Sequence, residues 1–343
     1  MNPILNGAPW LIAHRSMLGI NRPFKITLNG SDYVLWQNSN GEISALDNVC
    51  PHMQAPLSKG WICKSSNSIV CGYHALEFNR EGRLLKDGKV EGEPLARKLE
   101  LIVKDDLIWT YGNLPPRLPI PDLISQRIEG MKYLGVSGNS SIKAKFIDCI
   151  RINYDFNHQN GVHRNNFRII ANPVETFETD GYYARVVQTF LRTKNTLAEI
   201  SQNPALLILP QEISNELEYS FPSTTLFKAR LPLGEVLQFF ILYPETIAFG
   251  DSPLPLAMSD CSSSQRTRTF VLSYANWKSP LLKVPGIKNI IERSLLEAAA
   301  KIVEQDSSNV ESLYPRQKPK IRLPKEEIMS YVEKLYHNWE QQH

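Results

Sequence analysis

Two short runs constrain this chain more than anything else in it: Cys50-Pro51-His52 and, eighteen residues on, Cys71-Gly72-Tyr73-His74. Each run supplies one thiol and one imidazole, so a metal can be shared only if the fold holds the two runs face to face, as neighbouring β-loops do. Tetrahedral zinc accepts two Cys and two His, but the finger arrangement groups the cysteines together and the histidines together. An alternating order suits a [2Fe-2S] centre in which two thiolates hold one iron and two imidazoles the other. Cys63 lies between the runs with Ser65 and Ser66 where a histidine would be needed, and reads as a buried free thiol. His14 has no ligand-type partner nearby and reads as structural or surface.

The flanking sequence supports β-loops. From Phe24 to Tyr111 short strand candidates alternate with turn signals: FKITL, Asn29-Gly30, DYVLWQ, Asn40-Gly41 and ISAL, then LEFN, Arg80-Glu81-Gly82, and LELIV facing LIWTY across Lys104-Asp105-Asp106. The segment PPRLPIPDL forbids regular ladders and helix, and places a domain boundary there, giving residues 1–114 and 115–343. The longer part reads as an antiparallel sheet flanked by helices, an α+β domain. Its strand candidates are ETFET, YYARVVQTFL, LEYSF, TLFKARL, VLQFFILY, TIAFG and RTFVLSYA; its helices run from Ile147 to about Gln159, from near Pro285, and from Pro324 to Gln341.

Composition excludes several classes. The 38 basic and 35 acidic residues are dispersed, so no basic stripe points to nucleic acid or a membrane surface. The longest apolar run, Val236 to Tyr243 interrupted by Gln238, is too short to cross a bilayer, and the N-terminus lacks a secretory pattern. Five cysteines at irregular spacing suit a reducing compartment, and a cytoplasmic location is expected.

A second constellation lies in IDCIRINYDFNHQNGVHRNNF, where Asp155, His158 and His163 follow Asp-x-x-His-x4-His. On a helix Asp155 and His158 share a face, whereas His158 and His163 would stand roughly 140° apart. Asn160-Gly161 is a helix stop that lets His163 return to the same metal. Two histidines need a carboxylate to complete a facial triad. On the helix near Pro285 the apolar stripe reads Ile287, Ile290, Ile291, Leu295, Ala298 and Ile302. Asp306 lies roughly 75° from its centre and Glu304 roughly 125°, so Asp306 is the expected third ligand, with Glu311 the alternative should the helix stop early.

Taken together these motifs resemble the Rieske non-haem iron oxygenases, catalytic α-type subunits, and within them the one-subunit demethylase and pheophorbide-oxygenase-like branch. CPHMQAPLSKG is similar to the family's first cluster loop, while CGYHALEF departs from its commoner second loop at Gly72, Ala75 and Leu76. Ala55 and Tyr73 stand where the Rieske proteins of cytochrome complexes carry an extra disulfide. The family often has Asn three or four residues before its bridging Asp; here those positions are Ile152 and Arg151, with Asn153 beside them.

The resemblance implies an all-β Rieske domain followed by a helix-grip catalytic domain, with Cys50, His52, Cys71 and His74 holding the cluster. It implies mononuclear Fe(II) on His158, His163 and Asp306, and a head-to-tail homotrimer in which Asp155 links His158 to a cluster histidine, His74, of the neighbour. The implied reaction uses O2 to hydroxylate or oxidatively dealkylate a small, apolar or aromatic organic substrate. With no Gly-rich dinucleotide motif after a strand, electrons are expected from a separate NAD(P)H-dependent reductase or ferredoxin. Phe227, Phe239, Phe240 and Tyr243 read first as core packing and second as pocket lining. The residues alone also permit a Rieske-type electron-transfer protein, or a redox-sensing ligand-binding protein without oxygenase activity.

Overall fold

The computed structural model describes residues 3–164, 168–202, 204–246, 265–314 and 319–341. It divides into two compact units: one runs through Ile120 and takes in the chain again from Tyr243, and the other comprises Pro121–Leu242 and the C-terminal stretch.

The first unit is all β among its described strands. β1 (Trp10–His14), β11 (Leu107–Thr110) and β10 (Ile102–Lys104) form one small sheet. β2 (Phe24–Leu28), β3 (Ser31–Gln37) and β4 (Ile43–Asp47) form a second. β5 (Trp61–Cys63), β6 (Ser68–Val70), β7 (Glu77–Phe78), β8 (Leu84–Lys86) and β9 (Lys89–Glu91) make a meander. The hairpins turn where the sequence marks them: Asn29 and Gly30 both have positive φ, as do Asp105 and Asp106 between β10 and β11. Strands of the second sheet and the meander share one core, in which Val34, Trp36 and Leu46 pack with Ile62, Ile69 and Phe78, and with Cys50 and Cys71. Both thiols are therefore anchored in the core, each just past a strand end.

The second unit is built on an eight-stranded sheet. Its order is β12 (Lys132–Ile142), β19 (Thr267–Trp277), β18 (Gly234–Pro244), β17 (Thr224–Leu231), β16 (Glu212–Ser220), β15 (Tyr183–Arg192) and β13 (Ile169–Ala171), with β14 (Val174–Asp180) also on β15. The ladders β12·β19, β14·β15, β15·β16, β16·β17 and β17·β18 are antiparallel. Helices α1 (Leu123–Arg127), α2 (Phe146–Tyr154), α3 (Leu197–Gln202), α4 (Ile287–Glu311) and α5 (Glu326–Gln341) accompany it. α4 lies close on β12 because that strand supplies glycine: a Cβ at Gly138 would stand 2.8 Å from Val303 Cγ2, and one at Gly135 3.2 Å from Leu296 Cδ1.

Several expectations are corrected by these elements. The helix over 147–159 ends at Tyr154: Asp155 is its extended C-cap (φ −90°, ψ 100°), and His158–Asn160 form a separate 3-10 turn. Asp155 and His158 thus do not share a helix face. Ile287 and Ile290, placed on the buried stripe of α4, are exposed, while Ser294, Ala299, Val303 and Val310 are buried. Most of the strand candidate TIAFG lies outside the described residues. Strands β1, β5, β6 and β12 carry no clean alternation and were not expected. Among the described residues, no helix is long and apolar enough to cross a membrane.

His14 is buried at the end of β1, its Nδ1 at 2.9 Å from Ser16 Oγ. Burial pushes its pKa below the usual 6.5, against the smaller attraction of Asp106. The unfolded chain therefore takes up this proton first, and stability is lost as pH falls through about 6.5 towards the lower folded value. Urea unfolding midpoints at pH 7.5 and pH 5.5 should differ more in the wild type than in His14→Gln.

Candidate metal centres

The two Cys/His loops repeat one backbone design. In the first, Cys50 N–H donates to Ala55 O (2.8 Å) and Gln54 N–H to Cys50 O (3.0 Å). In the second, Cys71 N–H donates to Leu76 O (2.8 Å) and Ala75 N–H to Cys71 O (3.0 Å). Gln54 and Ala75, equivalent in this repeat, both adopt left-handed φ, +60° and +56°. Each loop thereby curls over its cysteine and turns its histidine outward. Cys50 and Cys71 are buried, whereas His52 and His74 are exposed and bring Nδ1 to within 3.1 Å of Nδ1. Burial pushes the Cys50 thiol pKa up, and the neighbouring Cys71 adds to the effect. The buried Cys50 thiol resists ionisation by itself, and a metal ion that takes it as thiolate relieves that conflict. The donor set and its sorting, sulfur inside and imidazole outside, fit a cluster with chemically different irons. Cys63 is a free thiol as expected but is not buried: it is exposed to an intermediate degree on β5, where it interacts with Ser65 at 3.2 Å rather than with this group.

The loops are held together by an approach that only glycine allows. A Cβ at Gly60 would lie 1.8 Å from Val70 O and 2.9 Å from Gly72 N, and one at Gly72 would lie 2.9 Å from Lys59 O. Asn48 Oδ1 further ties down the first loop by accepting from Ser58 N–H at 2.7 Å. Gly60→Ala should force the loops apart, lowering the melting temperature and the bound iron together, as thermal unfolding and metal analysis would record.

In the second unit, His158, His163 and Asp306 form a potential metal-binding group whose ligand atoms all lie within 4.8 Å of one another. His158 Nε2 and His163 Nε2 are 3.2 Å apart; Asp306 Oδ1 is 3.1 Å from His163 Nε2 and 3.5 Å from His158 Nε2. An octahedron with bonds of about 2.1 Å has edges of about 3.0 Å, so these three atoms have the spacing of one triangular face. Asp306 Oδ1 is buried without an aligned hydrogen-bond donor, as expected of an oxygen meant for a cation. His158 is pushed below the usual imidazole pKa by burial, against the pull of Asp306. His163, which burial alone would lower, is held above it by Asp306 and Gln305.

The supports of this trio are local. Tyr219 donates to Asn153 O at 2.9 Å and stacks on Tyr154, fixing the end of α2 on the sheet. Asn172 Nδ2 and Asn157 Nδ2 donate to Phe156 O (2.6 Å) and Pro324 O (2.8 Å), pinning the loop that carries His158. The partner expected for His158 is corrected: its Nδ1 contacts the backbone carbonyl of Asp155, not the carboxylate, whose Oδ1 accepts from Asn157 N–H at 2.9 Å. The carboxylate is part of a turn that sets the carbonyl. Gln305, not anticipated from sequence, places Oε1 2.9 Å from His163 Nδ1 and so orients the second imidazole. The alternative ligand Glu311 is remote in role, accepting from Lys143 N–H at 2.7 Å.

The trio opens on a cavity of about 150 Å³. Leu295, Ala298 and Ile302 of α4 line it in step with Asp306, and Phe190, Leu217, Phe227 and Phe240 face it from the sheet. Of the aromatic residues singled out from sequence, Phe227 and Phe240 line the cavity, whereas Phe239 is core, edge-to-face with Tyr274. Tyr243 is buried and does not line the cavity.

Residues 9–100 match the Rieske [2Fe-2S] domain. Beyond that domain, the chain as a whole has the fold of dicamba monooxygenase. It superposes on dicamba monooxygenase bound to dicamba with a TM-score of 0.72 at 18% identity, covering 99% of this chain and 98% of that one. For NdmA of Pseudomonas putida CBB5 with caffeine the TM-score is 0.66 at 13% identity, over 97% and 90%. In sequence, the chain is 29% identical over 140 residues to the 4beta-methylsterol monooxygenase of Methylococcus capsulatus, covering 38% of this chain and 37% of the relative. It is 27% identical over 164 residues to the oxygenase component of dicamba O-demethylase from Stenotrophomonas maltophilia, covering 46% and 47%. The aligned sequence thus spans less than half the length of these curated relatives. A Rieske domain implies a [2Fe-2S] cluster, and a related structure holds non-heme iron.

Proposed function

We propose that this chain is the terminal oxygenase component of a multicomponent system, with a Rieske domain over 1–114 and a catalytic domain over 115–343. The observation that carries this reading is the converging trio of His158, His163 and Asp306 at an apolar cavity, in a chain that also bears a Rieske domain. A protein that only transfers electrons needs neither the trio nor the cavity.

In this reading Cys50, Cys71, His52 and His74 hold the cluster, and His158, His163 and Asp306 hold a single iron. Iron in such a facial triad supplies the activation of O2 that organic substrates cannot achieve alone. The chain's own residues set the conditions. Gln305 and the Asp155 carbonyl hold the imidazole planes, the cavity wall excludes water, and the apolar lining selects a small organic molecule. Hydroxylation balances as C–H plus O2, two electrons and two protons giving C–OH and water. Where the oxidised carbon also bears oxygen or nitrogen, the product loses that heteroatom group, and the net change is dealkylation, the activity named for the dicamba and vanillate O-demethylase relatives.

The electrons come, in the same reading, from a separate reductase or ferredoxin in the cytoplasm, and the active assembly is a head-to-tail homotrimer. Exposure of His74 beside His52 and Tyr73 supports an edge that a neighbouring copy covers. Asp155 would receive it there on its carboxylate, while its backbone carbonyl holds His158 Nδ1.

Metal analysis should find about three iron atoms per chain, with a Rieske EPR signal. His163→Ala should lose the mononuclear iron, keep the Rieske signal and abolish substrate-dependent O2 uptake with a reductase; unchanged iron content and uptake would falsify the reading. Asp155→Asn can still accept from Asn157 N–H, so both metals should stay bound while turnover falls about a hundredfold. Full activity there would remove Asp155 from the electron path.

A further inference from the structure

The cavity wall contributed by the sheet is not uniformly apolar. Thr225 on β17 and Gln238 on β18 line it, and each is only 6% exposed. The register pairs Phe227 with Gln238 and Thr225 with Phe240, which makes Gln238 and Thr225 diagonal neighbours on one face of the sheet. Among the described residues the Gln238 side chain finds no hydrogen-bond partner. A primary amide that lines an apolar cavity and whose N–H and C=O find no protein partner gains a hydrogen bond from whatever enters, so this group is placed for a ligand.

The charge around it narrows what that is. Among the described lining residues Arg192 is the one lysine or arginine. Its guanidinium is spent on the chain: Nη1 donates to Leu209 O (3.1 Å) and Pro210 O (3.3 Å), and Nη2 donates to Asn195 Oδ1. No lysine or arginine among the described lining residues is left to receive a carboxylate on the sheet side. The volume, about 150 Å³, matches a cavity that takes one benzene ring.

We propose that Gln238, assisted by Thr225, is the polar anchor of the substrate cavity. The substrate class is an uncharged, ring-sized apolar molecule bearing one carbonyl or hydroxyl oxygen. That oxygen accepts from the Gln238 amide N–H on the sheet side, and the far side of the ring is turned to the wall formed by α4 and the His158 loop. The purpose of the cavity rests on the oxygenase reading, but the anchor is a statement about binding and is tested without turnover.

Calorimetric titration of the full-length, metal-loaded protein with acetophenone, cumene and benzoate separates the possibilities, since the three share a ring and similar bulk. Wild type should bind acetophenone about three- to tenfold tighter than cumene, the gain expected of one neutral hydrogen bond, and should bind benzoate weakest. Gln238→Leu and Gln238→Met, both close in volume, should erase the preference while still binding cumene. Retained preference in both variants, benzoate bound above acetophenone, or no binding of either neutral probe at millimolar concentration would each overturn the proposal. Iron counted in the same samples keeps the readings apart: the expected preference in a protein without mononuclear iron refutes the oxygenase and leaves the anchor standing.

Discussion

The second unit depends on one arrangement: a buried carboxylate oxygen, Asp306 Oδ1, set against two imidazole nitrogens with no hydrogen-bond donor aligned on it. With both imidazoles neutral, their lone pairs and the carboxylate oxygen, 3.1 to 3.5 Å apart in a poorly hydrated place, repel one another, and a proton on His163, whose pKa Asp306 raises, relieves only part of this. A divalent cation reverses the sign of the interaction, so folding and metal binding support one another. Much of the surrounding architecture serves to keep these atoms together. The glycines of β12 let α4 approach, Tyr219 fixes the end of α2, and two asparagine amides clamp the loop after it.

The first unit solves the equivalent problem differently. Its ligands come in two copies of one loop design, and the copies are locked by a backbone contact at Gly60 that leaves no room for a side chain. The core takes the sulfur and leaves the imidazoles at the surface. This sorting suits a centre whose sulfur-held iron is shielded while its histidine edge meets other molecules.

Much of this was legible in the sequence because ligand chemistry is stated in residue identity. The Cys-x-His and Cys-x-x-His runs, the two histidines after Asp155 and the carboxylate on the long helix all appear as side chains that few other roles require. The hairpins at Asn29-Gly30 and Asp105-Asp106 were legible because left-handed turns draw on few residue types. The rest was hidden for physical reasons. β12 reads as a polar, glycine-bearing stretch because its glycines are selected by the helix above it, a contact no local pattern records. The end of α2 at Tyr154 follows from a turn built by the Asp155 carboxylate and Asn157, which composition alone cannot separate from continued helix. Gln305 and Gln238 gave no signal because a lone glutamine is ordinary until the fold shows what it faces.

The long helix carries two duties on adjacent rows of side chains. Ala299 and Val303 seat it on the sheet, while Leu295, Ala298 and Ile302 form cavity wall in the same row as Asp306. A change of shape on that row displaces the helix and with it the carboxylate, so altered selectivity gained there comes with weakened metal binding. The strands opposite carry no ligand atom, and Phe227 and Gln238 lie outside the cluster that seats the helix, although their neighbour Phe240 packs against it. Divergence towards new substrates should therefore accumulate on the sheet and spare the helix, which makes the fold a fixed reactive wall facing an interchangeable one.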